Sequence, residues 1–302
     1  MEKRAFVTGG HGFVGKHLCK ALIDSGYTVL APSSKELNLV SSSPSRIREH
    51  IADASVVIHL AAKVGGIGYN QRHGYETIHD NLSMGINLID ALPDTVTKFI
   101  MLGSVCSYPS HCPVPFSEGD LWDGYPEPTN APYGIAKKTI LEMLLKSDLP
   151  FTFLMPANMY GPGDNFDLED SHVIPAMIRK MIEAEDSVTL WGDGSVTREF
   201  LYVDDCVRAI MKAIEKQETR CAVNVGGGYE TRIANLAYLI ADATGFEGKI
   251  IWDKNKPNGQ QRRYLDVSRA RSMLGFQPET ALTDGLRKTV EWYRGAECTL
   301  SA

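Results

Sequence analysis

The stretch that most restricts how this chain can fold is Phe6-Val7-Thr8-Gly9-Gly10-His11-Gly12-Phe13-Val14-Gly15. It is a short apolar run and a turn with glycines at 9, 12 and 15; Val14, Leu18, Ala21 and Leu22 then follow at helical spacing. Glycine lets the backbone turn tightly, approach a pyrophosphate closely and pack the helix on the strand. The helix N-terminus then offers unpaired N–H groups to the phosphates. The spacing is G-x-x-G-x-x-G rather than G-x-G-x-x-G, and such a turn by itself also occurs in plain loops. Its place between a strand and a helix favours a dinucleotide, with Gly9, Gly12, Phe13, Val14 and Gly15 as contacts.

Downstream, strand and helix alternate. Thr28–Leu30, 55–60 and Lys98–Leu102 read as strands, and 45–51 and 81–91 as helices. This pattern predicts an α/β fold, a Rossmann-type parallel sheet flanked by helices, with a smaller C-terminal α/β substrate-binding domain. The expected division is 1–165, with a returning segment near 198–226, for the dinucleotide, and 166–197 with 227–302 for the substrate. A length of 302 residues accommodates one large domain or two modest ones. The net charge of −6 argues against a nucleic-acid surface but leaves room for a local basic patch. Six cysteines (19, 106, 112, 206, 221, 298) form no C-x-x-C pair, so reduced thiols and a cytoplasmic location are expected. No apolar stretch follows Met1-Glu2-Lys3-Arg4 and no run approaches 18 apolar residues, so neither a signal peptide nor a membrane span is expected.

The end of the second strand distinguishes cofactors. An acid there would bind the ribose 2′-hydroxyl of NAD. Ala31-Pro32-Ser33-Ser34-Lys35 offers hydroxyls and a cation with no acid before Glu36, which favours NADP(H) over NAD; the alternative is a plain polar turn. Leu60, Ala61 and Ala62 end the third strand with small side chains suited to a dinucleotide, and the glycine-rich loop 63–68 follows. Ser104 and Cys106 place a hydroxyl and a thiol at the end of the next strand. A proline-rich stretch, 109–132, is long enough to be functional. The next helix carries Tyr133 and Lys137 one turn apart on one face. Composition alone would produce such a pair about as often as not, so its weight comes from its position after Ser104 and the glycine turn.

Together these features resemble the extended short-chain dehydrogenase/reductase family. The blocks running from Asn158-Met159-Tyr160-Gly161-Pro162-Gly163-Asp164-Asn165-Phe166 to Ser171-His172-Val173-Ile174-Pro175 narrow the resemblance to its nucleotide-sugar epimerase-reductases. Val105 and Ser107 depart from that group's pattern beside Cys106 and bear on the identity of the sugar. The resemblance implies NADPH-dependent epimerisation at C3 and C5 and reduction at C4 of a GDP-4-keto-6-deoxy-hexose, GDP-4-keto-6-deoxy-D-mannose giving GDP-L-fucose. Cys106 and His172 would be the acid/base pair, Ser104 and Tyr133 the hydroxyl donors, and Lys137 would lower the tyrosine pKa and hold the nicotinamide ribose. Further cofactor contacts implied are Leu102, Pro156, Asn158, Met159 and His172. Substrate contacts implied are Asn158, Lys180, Trp191, Arg198 and Asp266, with no metal. A homodimer through the helices at 81–91 and 133–146 is also implied.

Three alternatives stand beside this reading: a reductase of a GDP-6-deoxy-heptose or colitose precursor, a 4-epimerase that retains NAD, and a non-catalytic NADP-binding regulator. The glycines at 226–228 read as a return from strand to helix near Ile233–Thr244 rather than as a second phosphate loop. Lys254-Asn255-Lys256 and Gln260-Gln261-Arg262-Arg263 face either the diphosphate or solvent.

Overall fold

The computed structural model describes residues 3–65, 69, 72–168, 170–256 and 258–300, and the side chains up to 296. Gly66, Ile67 and Gly68 of the expected glycine-rich loop, and the Cys298 thiol, lie outside the described residues. In chain order the first half is β1 (Arg4–Thr8), α1 (Phe13–Asp24), β2 (Thr28–Leu30), α2 (Pro44–Ile51), β3 (Val56–His59), α3 (Gly74–Ala91), β4 (Lys98–Leu102), α4 (Ala131–Leu145) and β5 (Phe151–Pro156). The second half is β6 (Asn158–Tyr160), α5 (Val173–Glu183), β7 (Ser187–Trp191), β8 (Thr197–Arg198), β9 (Phe200–Tyr202), α6 (Val203–Glu215), β10 (Ala222–Val225), β11 (Thr231–Arg232), α7 (Ile233–Thr244), β12 (Lys249–Asp253), β13 (Arg262–Arg263) and α8 (Leu282–Leu300).

The main sheet is parallel throughout, in the order β10-β5-β4-β3-β1-β2. Its strands are apolar runs rather than alternating ones, because helices cover both faces. Val56–His59 and Phe151–Pro156 are buried at every position. α1 packs with α6, and α3 packs with α2 and α4. The chain builds β2 on one side of β1 and then crosses back to place β3 on the other. Ligands bind at such a reversal, outside the carboxyl ends of the strands. The turns after β1, β3, β4 and β5 all open there.

Beyond the sheet, β8 pairs with β11 on one side and β13 on the other, and β7 pairs with β12. α3 starts at Gly74, seven residues before the sequence suggests. Its first turns, Gly-Tyr-Glu-Thr-Ile-His-Asp, lack apolar periodicity and are held by tertiary contacts, Thr77 being fully buried. The proline-rich stretch also contains a short helical turn, Glu118–Trp122.

Candidate functional site

The glycine turn is shaped by close approach. Gly9 has φ +71°, and a Cβ there would come within 2.7 Å of the Ala61 amide nitrogen. Gly12 donates its N–H to the Gly9 carbonyl at 3.0 Å. A Cβ on Gly15 would collide with the backbone of Gly9 and Gly10, so only glycine lets α1 begin so near β1. No side chain caps α1. Gly12, Phe13, Val14 and Gly15 at its start line a cleft of about 980 Å³, an arrangement that fits a pyrophosphate.

Every cofactor contact expected from the sequence lines this cleft except one. Gly9, Gly12, Phe13, Val14 and Gly15 form one end with Ser33 and Ser34; Leu60, Ala61, Ala62 and Leu102 form the floor; Tyr133, Lys137, Pro156, Asn158, Met159 and His172 form the other end with Ser104 and Cys106. The exception is Lys35, which does not line it. Moreover, an acid does stand at this turn. The Glu36 carboxylate accepts hydrogen bonds from the Ser33 amide (2.7 Å) and hydroxyl (2.8 Å), because the chain turns back on itself here to form a cap. Those bonds hold its pKa below the usual carboxylate range.

At the other end, the Ser104 hydroxyl oxygen accepts the Cys106 N–H at 3.1 Å and opens a single helical turn, Val105–Ser107. This turn lies directly on α4. A Cβ on Gly134 would collide with the Cys106 carbonyl, and the Ser107 hydroxyl donates to the Gly134 carbonyl at 3.0 Å. The hydroxyl, the thiol, Tyr133 and Lys137 are thereby brought together. The Lys137 ammonium lies 5.7 Å from the centre of the Tyr133 ring. Burial drives the lysine down to about 8. It also raises the tyrosine, with the Cys106 charge adding to the rise. Tyr133 thus stands above its ordinary value, with Lys137 one helical turn away on α4. Loss of water disfavours the charged form of either group, so burial raises the phenol and lowers the ammonium. Behind the pair, buried His59 shares a 2.7 Å hydrogen bond with the Thr8 hydroxyl, and burial together with Lys137 holds it neutral.

His172 is the N-cap residue of α5 and is reached by solvent from the cleft. Desolvation by the surrounding protein lowers its pKa. Asp164, also in the cleft wall, is pushed up to about 7 by burial. Among the described residues, the Asp164 Oδ2 and Ser171 Oγ atoms are buried without a hydrogen-bond partner.

The expected substrate contacts divide. Asn158 lines the cleft, whereas Lys180, Trp191, Arg198 and Asp266 do not. The Lys180 ammonium donates to the Thr189 carbonyl (3.1 Å) and Trp191 is half exposed beneath Lys256. Asp266 accepts the Ser268 N–H at 2.9 Å. Arg198 stands opposite Arg263 across the β8–β13 pair, and Arg263 donates to the Cys106 sulfur at 3.6 Å. Burial and Arg263 both lower the Arg198 pKa. The segment 224–228 does return from strand to helix. Asn224 is fully buried and bonded to Tyr108, Phe116, Glu118 and Asp266 rather than to the cleft.

Sequence reasoning misses Asn130, Asn165 and the Lys63–Asp80 ion pair (2.7 Å), all in the cleft wall. It also leaves Arg263 undecided. The period of a strand offers a signal, since adjacent residues face opposite ways. Arg262 pairs with Glu230 at the surface, and Arg263 turns inward.

Residues 5–226 match the NAD dependent epimerase/dehydratase family. The chain is 40% identical to a protein of Arabidopsis thaliana named putative GDP-L-fucose synthase 2, over 97% of this chain and 93% of that one. It is 35% identical to the GDP-L-fucose synthase of Escherichia coli, over 97% of each. The fold is similar to a solved GDP-L-fucose synthetase of Naegleria fowleri bound to NADP. The TM-score is 0.88 at 26% identity, over 99% of this chain and 94% of that one.

Proposed function

The chain belongs to the NAD dependent epimerase/dehydratase family, and from that premise we propose that it is an NADPH-dependent 3,5-epimerase and 4-reductase of a GDP-4-keto-6-deoxy-hexose, yielding GDP-L-fucose. It is an enzyme that uses a nicotinamide cofactor, and NADP(H) is the form we assign. The glycine turn would hold the pyrophosphate, and Ser33 and Ser34 would hold the 2′-phosphate. The bound dinucleotide supplies a hydride for C4. The observation that carries this reading is that Ser104, Cys106, Tyr133, Lys137 and His172 line the same cleft as the glycine turn.

The 4-keto group acidifies the protons on C3 and C5. Cys106 and His172, an ionisable thiol and a neutral imidazole, can remove a proton from one face of such a carbon and return one to the other. The Ser104 oxygen is already accepting from the Cys106 N–H, so its own proton is free to steady the developing enolate. In the reduction, buried Tyr133 hands its proton to the C4 oxygen. The adjacent Lys137 cation stabilises the phenolate that remains. Lys180, Trp191, Arg198 and Asp266, which lie outside this cleft, would bind the nucleotide and diphosphate. A homodimer through α3 and α4 completes the proposal; sedimentation equilibrium returning the monomer mass would remove it.

The experiment is a turnover in deuterated water with NADPH and GDP-4-keto-6-deoxy-D-mannose, the product read by NMR. Deuterium at both C3 and C5 of GDP-L-fucose is expected. NADPH oxidation without deuterium at either carbon would make the protein a plain 4-reductase and end the roles given to Cys106 and His172.

A further inference from the structure

We propose that Arg263 is a positioning residue that holds Cys106 as its thiolate, and so sets the rate of the two epimerisations but not of the reduction. This rests on the reading of Cys106 as an acid/base. The Arg263 Nη1 donates to the Cys106 sulfur at 3.6 Å, and its Nε donates to the Gln260 side-chain oxygen at 3.2 Å. Gln260 in turn donates to the Ser110 carbonyl at 2.9 Å, on the chain that continues from Cys106. The guanidinium is thus aimed at the sulfur and tied to the segment that carries it.

Its charge makes the contact more than packing. Arg263 is 7% exposed. Its strand neighbour Arg262 is paired with Glu230, but among the described residues no carboxylate forms an ion pair with Arg263. A buried cation needs an anion nearby. Its neighbour across β8 and β13 is Arg198, a second cation, which sharpens that need. The Cys106 sulfur is the group the guanidinium reaches, and a charge-assisted hydrogen bond to a thiolate there would be among the stronger contacts a side chain makes. The alternative anion is the substrate diphosphate, and the test below separates the two.

Thiolates, not thiols, react with iodoacetamide. In the Arg263→Gln variant, alkylation of Cys106 at neutral pH, read by peptide mass spectrometry, should slow by about tenfold. Cys221 should react at its wild-type rate, and Arg263→Lys should recover part of the loss. In deuterated water without NADPH, deuterium uptake by the 4-keto sugar should slow by a similar factor. NADPH oxidation on the already epimerised ketone should stay within about threefold of wild type. Unchanged Cys106 alkylation with a raised KM would make Arg263 a diphosphate clamp and overturn the proposal. Faster Cys221 alkylation, or equal loss of both half-reactions, would reduce Arg263 to a structural role and overturn it as well. If Cys106→Ser left deuterium uptake intact, the acid/base reading of Cys106 would fall, and the alkylation ratio would still decide the thiolate contact.

Discussion

At Tyr133 and Lys137 two effects oppose each other. The lysine's charge favours the phenolate, and the loss of water around both groups disfavours either charge. Desolvation wins for both, so each enters the reaction as a reluctant ion: Lys137 at about 8 and Tyr133 above its ordinary value. The tyrosine is thereby kept as a proton donor. Tyr133→Phe should lower the reduction rate by about 10²- to 10⁴-fold, the usual worth of a placed general acid, while NADPH binding measured by fluorescence titration weakens by less than about tenfold. The lysine gives a pH dependence. Above about 8 its proton leaves and the stabilising cation goes with it. The reduction rate should therefore fall as pH rises through that value, and Lys137→Met should lose this limb of the profile. The effect on stability has the opposite sense. From about 8 to the ordinary lysine value of 10.5 the unfolded chain holds the proton and the folded chain does not. The cost of burying this charge is therefore full below 8 and fades as pH rises.

Among the elements, two junctions hold the cleft. The first is the β1–α1 turn, where adding one methyl group at Gly15 would drive α1 away from Gly9 and Gly10. Gly15→Ala should weaken NADPH binding at least tenfold, about 1.4 kcal/mol, by isothermal titration. The second lies between β8 and β9. Glu199 is 1% exposed and accepts the N–H groups of Gly228 (2.8 Å) and Leu265 (2.9 Å). One carboxylate therefore ties the return from β10 to the strand that carries Arg263. Burial raises it to about 7 despite these bonds. Glu199→Ala strands two backbone donors and should cost about 2–4 kcal/mol in urea unfolding, with the largest rise in hydrogen exchange around 226–228 and 262–266.

Across the whole molecule, the cofactor cleft touches the turns after β1, β2, β3, β4 and β5, so a bound dinucleotide braces most of the main sheet. At 100 times its dissociation constant NADPH should add about 2.7 kcal/mol of stability, seen as a rise of several degrees in the melting temperature. NADH at the same concentration should add much less. Equal shifts would mean that Ser33 and Ser34 do not select the 2′-phosphate, and that Glu36, already held by Ser33, turns to the ribose instead. Among the described residues no helix is long and apolar enough to cross a membrane.

Local chemistry made much of this protein legible from sequence alone. Glycines that must admit another backbone, apolar strands covered on both faces and a helix opened by Ala131 and Pro132 carry their reasons within a few residues. The glycine turn, the first four sheet strands and the Tyr133–Lys137 face could therefore be read without coordinates. Other features depend on residues far apart in the chain. The burial that shifts Lys137 and Tyr133, and the bond from Arg263 to a thiol 157 positions away, exist only once β13 lies beside β8 and α4 beside the end of β4. The start of α3 at a polar segment is of the same kind. Sequence periodicity reports which face of an element is apolar. Desolvation and the pairing of distant charges are properties of the assembled interior, and only the tertiary structure decides them.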